Sequence, residues 1–126
     1  MRFISSKIHG ILDYLSGLLF IASPWLFGFA DGGAAQWLPV LVGVMLLATS
    51  LLTNYELGVV KVVSMPLHLT IDVAAGVLLA ASPWLFGFAD YVYLPHVIFG
   101  LLEIGAGLMT HKVSYDSRSP VQTTQR

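Results

Sequence analysis

Histidine and aspartate recur four residues apart at two places in the chain, His9 with Asp13 and His68 with Asp72. On a helix that spacing is one turn, so each imidazole can meet its own carboxylate. Both pairs lie inside long apolar runs, and a third acid, Glu103, lies inside another. Within a bilayer such a carboxylate costs about 2.5–3.5 kcal/mol on insertion scales, so it faces the protein interior and has a partner. Three chemistries are open. The first is a local His–Asp hydrogen bond that pins the helix ends, since intramembrane polar groups also serve as glue between helices. The second is a site that handles protons or ions, because imidazoles and buried carboxylates are the parts of proton relays. The third is a metal or haem site, with His9 and His68 as ligands and Asp13 and Asp72 as ligands or outer partners. A His/Asp pair at this spacing is common by chance, so the third weighs least, and no cofactor is expected. Glu103 is either protonated and bonded to a neighbouring backbone or to Tyr14, or it completes an acidic cluster.

The elements that must position these groups follow from composition. Hydrophobic residues make up 56% of the 126, charged residues 10%, and mean hydropathy is +0.80. A soluble domain carries roughly 25% charged residues, so the balance points to lipid. Four apolar runs, at 8–29, 34–53, 67–88 and 92–110, each approach the ~20 residues a helix needs to cross a ~30 Å hydrocarbon core. Backbone in lipid must satisfy its own hydrogen bonds, which predicts four transmembrane helices. The basic start of the chain fits a signal peptide, but His9 and Asp13 interrupt the first run and the third run copies it mid-chain, so it is read as a span. Arg2, Lys7, Lys61, Lys112, Arg118 and Arg126 all fall on one side of such a layout, while the hairpin loops opposite hold Asp31 and Asp90. The positive-inside rule then places both termini in the cytoplasm.

The third run copies the first. Residues 8–31 laid over 67–90 give 14 identities in 24 positions without a gap, too many for shared hydrophobicity alone. At an offset of 57, Gly43 then meets Gly100 and Thr53 meets Thr110. The unit is a helix, a short loop and a returning helix, at 8–54 and again at 66–111, flanked by segments 1–7, 55–65 and 112–126. Each unit crosses twice, so the copies are parallel repeats about an axis along the membrane normal, unlike the inverted repeats of many transporters. Small and polar residues form one face of each helix. These are His9, Asp13, Gly17, Phe20 and Pro24; Gly43, Leu46, Ser50 and Thr53; His68, Asp72, Gly76, Leu79 and Pro83; His96, Gly100, Glu103, Gly107 and Thr110. Such faces pack inward. The fold expected is an all-α integral membrane four-helix bundle of two parallel-repeat hairpins.

The most conserved feature between the copies is a ten-residue phrase, ASPWLFGFAD, at 22–31 and 81–90. Pro24 and Pro83 remove an amide and loosen the helix, and Ser23 and Ser82 can satisfy the carbonyls set free. Trp25 and Trp84 suit the headgroup level, as do Phe27, Phe29, Phe86 and Phe88. Gly28 and Gly87 permit the turn. Beyond a helix exit, the phrase could form paired aromatic cups for a lipid or a partner helix. The doubled Ser-Pro-Trp, with its matching helices over about 6–111, resembles the SPW-repeat family of small bacterial and archaeal membrane proteins. That resemblance implies one or two copies of a two-helix unit and carries no established biochemical activity.

His96, beside Pro95, is expected near the outer surface, and His111 at the inner end of the fourth helix. The 55–65 connector, rich in Val with Lys61, suggests contact with the membrane surface; Ser64 and Pro66 mark the start of the next helix. The polar segment 112–126 reads as a mobile tail. No cysteine, phosphate loop, zinc-protease motif or nucleophile elbow is present, and no basic nucleic-acid footprint. The expectation is a non-enzymatic membrane module, a structural or accessory subunit or scaffold. Its partners would be the bilayer and either copies of itself or other membrane subunits. A small oligomeric proton or ion channel or transporter, built on His9, Asp13, His68, Asp72 and Glu103, is the alternative.

Overall fold

A computed structural model describes residues 2–112, so most of the expected tail lies outside the described residues. Four helices form: α1 (Ser6–Leu26), α2 (Ala34–Leu52), α3 (Met65–Leu85) and α4 (Leu94–Met109). Among the described residues the β-structure is two isolated bridges, Ile4 with Thr110 and Thr53 with Val63. The first and third helices start alike. Ser5 and Ser64 are N-caps whose hydroxyls accept from the amides of Ile8 at 3.2 Å and Leu67 at 3.3 Å, satisfying amides that the helix leaves free.

They also stop alike, three residues short of the ends expected from hydropathy. The repeated phrase sets the stop. Ser23 donates to Phe20 O at 2.8 Å and Ser82 to Leu79 O at 2.6 Å; these carbonyls lie four residues before Pro24 and Pro83, which have no amide to give them. The amides of Phe29 and Phe88 then reach back to Pro24 O and Pro83 O, both at 2.8 Å. Gly28 and Gly87 sit between at φ +73° and +74°. That is a Schellman stop with glycine in the left-handed position. The phrase is thus a serine-patched proline turn run into a glycine stop.

Within each repeat the helices pack antiparallel through glycine. A Cβ on Gly43 would lie 2.6 Å from Gly17 O, and one on Gly100 would lie 2.5 Å from Gly76 O. Small residues here let backbones touch, as membrane helix pairs require. Between repeats, Phe20, Val42, Leu46, Ala75, Leu79 and Phe99 make one apolar layer, with the Phe20 and Phe99 rings stacked at 4.4 Å. The α2–α3 seam is closer than the α1–α4 seam. The faces read as inward are buried, and Leu15, Leu18, Leu41 and Leu101 point outward, exposed. The helices α2 and α3 are long and apolar enough to cross a membrane; α4, at 16 residues, is a shorter apolar helix.

The end of the bundle where α1 and α3 begin is closed by exchange between repeats. The amides of Phe3 and Ile4 bond Met109 O at the end of α4, and those of Val62 and Val63 bond Leu52 O at the end of α2. The connector therefore folds back as a strand-like piece. Val59 and Val62 are exposed on it, whereas Tyr55 is fully buried.

Candidate functional site

His9, Asp13, His68 and Asp72 come together near the N-terminal ends of α1 and α3, each at most 2% exposed. The arrangement differs from two local pairs. The within-helix contacts exist, with His9 Nε2 to Asp13 Oδ2 at 3.0 Å and His68 Nε2 to Asp72 Oδ2 at 3.2 Å. The shorter ones cross between repeats: His9 Nε2 to Asp72 Oδ2 at 2.8 Å and His68 Nε2 to Asp13 Oδ2 at 2.6 Å. Two ring nitrogens and two carboxylate oxygens alternate around a closed four-atom ring. Parallel repeats about a two-fold explain this. The axis brings equivalent faces of α1 and α3 together, so each imidazole finds the other helix's carboxylate.

Threonine fixes the imidazoles. Thr110 Oγ1 donates to Ala106 O at 2.6 Å and lies 2.7 Å from His9 Nδ1. Thr53 Oγ1 donates to Thr49 O at 2.5 Å and lies 2.6 Å from His68 Nδ1. A hydroxyl has one proton. With that proton on the carbonyl, the threonine oxygen accepts, and each Nδ1–H is the donor. Each Nε2 therefore turns its remaining site toward a carboxylate oxygen. Without protons the ring would face two lone pairs with two anionic oxygens. Two protons fill it and leave the cluster neutral, either as two imidazolium–carboxylate pairs or with a proton shifted to a carboxyl. Charge balance of this kind is what low dielectric demands of buried ionisable groups. Thr53 and Thr110 were legible as a repeated pair, and their role follows once α1 and α3 are placed face to face.

The remaining polar groups are arranged differently from expectation. Tyr14 donates to Leu57 O at 2.9 Å, not to Glu103. Glu103 is buried and its Oε2 has no partner. It lines a cavity of about 330 Å³ between α1 and α4 together with Asp13 and Ser16. His96 is fully buried rather than interfacial: its Nε2–H donates to Ala35 O at 2.8 Å, and its ring lies between those of Phe29 and Phe88. Phe29 is 2% exposed and turned inward for that contact, so it is no interface anchor; Phe27 and Phe86 remain exposed. The Pro95 beside it masked this role, because proline near a helix start reads only as a boundary. His111 lies just past α4, exposed, with its amide on Ile4 O. In the connector, burial pushes the Tyr55 phenol above its ordinary pKa, and the ring fills the space that a side chain at Gly10 would need.

Duplicated apolar hairpins with a helix-stop phrase at the C-terminal ends of α1 and α3 define an all-α protein with helices fit for a membrane. A family model described as the SPW repeat domain matches residues 7–110. The chain belongs to that family, and two of its helices are long and apolar enough to cross a membrane. No curated protein and no solved structure matches it.

Proposed function

We propose that this chain is a non-enzymatic, four-span module of a prokaryotic inner membrane, with both termini cytoplasmic. Its two repeats are fastened together at the cytoplasmic end, and its outer ends present aromatic surfaces to lipid and partner subunits. The observation that carries the reading is the crossed ring. Its short contacts are spent on the opposite repeat, as are the Nδ1 bonds to Thr53 and Thr110. Polar groups in a conducting path must exchange partners with water or ions; these are enclosed. Outward of the ring, the layer of Phe20, Val42, Leu46, Leu79 and Phe99 separates it from His96 and Gln36. That apolar layer disfavours an ion path through a single chain.

Several features support the placement. Lys and Arg gather at the ends given to the cytoplasm. Trp25, Trp84, Phe27, Phe86, Tyr91 and Tyr93 are exposed at the opposite ends, where an aromatic belt belongs. At ~1.5 Å per residue α4 is shorter than the hydrocarbon core, and flanking segments or local thinning accommodate it. The test is a pair of measurements on protein extracted gently in its native lipid. Native mass spectrometry is expected to find the chain with further copies or a fixed partner subunit. Reconstituted vesicles are expected to pass protons no faster than empty ones. Flux above empty vesicles that disappears in Asp13→Asn/Asp72→Asn would replace this reading with the transport one.

A further inference from the structure

We propose that the crossed ring is a binding site for one divalent first-row transition metal ion, of the zinc class, held by His9 Nε2, His68 Nε2, Asp13 Oδ2 and Asp72 Oδ2. The inference goes beyond the fastening role and adds a ligand to it.

Four observations converge. The donor atoms are the right ones: two imidazole nitrogens and two carboxylate oxygens suit zinc, iron and their neighbours, and no thiol is needed. They are close enough. One donor atom from each of the four residues lies within 4.8 Å of the other three, and the nitrogen–oxygen edges of the ring run from 2.6 to 3.2 Å. Metal–ligand bonds of about 2.0–2.1 Å imply edges of about 2.9 Å in a square and about 3.3 Å in a tetrahedron, so the ring matches the square as it stands and opens by up to about 0.7 Å at its shortest edge to hold a tetrahedral ion. The orientation is already set. Each Nδ1–H is held by a threonine oxygen, which leaves the Nε2 lone pair for the metal, the arrangement that outer partners impose on ligating histidines. Finally, Asp72 Oδ1 is buried with no partner, an oxygen free to take part when the ring opens around an ion.

Charge favours the exchange. The neutral ring holds two protons. One M²⁺ entering expels two protons and leaves two neutral imidazoles, two carboxylates and a dication, again neutral. Bonds break from two protons to the ring and form from four donor atoms to the ion, with no redox change. A site with four protein ligands is closed and structural rather than catalytic. The α1–α4 cavity touches one ligand, Asp13, and Glu103 beside it, and is otherwise mostly apolar.

The test uses the full chain in nanodiscs, stripped with chelator and titrated with Co²⁺ and then Zn²⁺. Expected are one Co²⁺ per chain with the visible absorption of a four-coordinate site, its displacement by Zn²⁺, and release of about two protons per ion. Asp72→Asn, which keeps a hydrogen-bonding ring but removes a ligand, should weaken binding at least tenfold with helical content unchanged. His111→Ala, at an exposed histidine, should leave binding unchanged. Should Asp72→Asn fail to fold, the stripped wild-type chain decides by its stoichiometry and proton release. No uptake by that chain, or uptake equally strong in Asp72→Asn, or binding lost in His111→Ala, would overturn the site. Such a failure leaves the proton-filled ring and the fastening role standing, because that role is read from packing and needs no ion.

Discussion

The two ends of this molecule both repeat residues, one letter for letter over ten positions and the other mainly at His9/His68, Asp13/Asp72 and Thr53/Thr110, and they use the repetition in opposite ways. At the outer end each copy of the phrase serves its own helix: Ser23 bonds Phe20 O, Phe29 bonds Pro24 O, and the second copy does the same with Ser82 and Phe88. At the inner end the copies serve each other. His9 reaches Asp72 and Thr110, and His68 reaches Asp13 and Thr53. The backbone follows suit, with residues 3–4 closing α4 and residues 62–63 closing α2. Duplication thus yields two stops with separate hydrogen bonds at one end and one shared joint at the other. An identical phrase can be kept for local geometry. An identical His/Asp pair acquires its partners only from the two-fold.

The contrast can be broken most strongly at the joint. Asp72→Ala leaves His9 and His68 with one carboxylate between them, and removing one member of a buried pair costs about 3–5 kcal/mol. Reversible unfolding in detergent should register that loss. Next in size is a change in the other sense. The counterpart of Glu103 in the first repeat is Leu46, and Glu103 keeps a buried oxygen without a partner. Glu103→Leu is expected to raise stability by about 1–3 kcal/mol by removing an unsatisfied group, read as a higher unfolding midpoint. At the outer end, Gly28→Ala and Gly87→Ala each force a side chain into the left-handed region and should cost roughly 1–2 kcal/mol. Any departure from additivity in the double variant measures coupling through the His96 ring, which Phe29 and Phe88 both touch. Smallest is Ser23→Ala, which returns Phe20 O to an unbonded state and should cost about 0.5–1.5 kcal/mol by the same unfolding measurement.

What could be read from sequence divides along the same line. The four helices, their inward faces, the serine relief of the proline turns and the Ser64 cap follow from local rules of periodicity and capping, and the structure carries them all. The helix ends at Leu26 and Leu85 fell short of expectation because hydropathy continues through Phe27 and Phe29, while the glycine stop is a backbone matter. The ring was visible as residue types but not as contacts. An i,i+4 spacing displays only the partner on the same helix, and the closer partner lies 63 positions away for His9 and 55 for His68. His96 was misplaced for a related reason. Its partners, Ala35 O and the Phe29 and Phe88 rings, come from three other segments. The Tyr14–Glu103 bond failed because Tyr14 is taken by the connector at Leu57.

The central claim is that the two repeats are joined through crossed His–Asp contacts. A pair of double-mutant cycles tests it most directly, using His9→Ala with Asp72→Ala and His9→Ala with Asp13→Ala, by reversible unfolding of the full chain in one detergent. The account predicts a His9–Asp72 coupling of about 1 kcal/mol or more, at least equal to the His9–Asp13 coupling. Additive effects for His9 and Asp72, within about 0.5 kcal/mol, together with strong coupling of His9 to Asp13, would mean that the pairs are local and the repeats are not joined there.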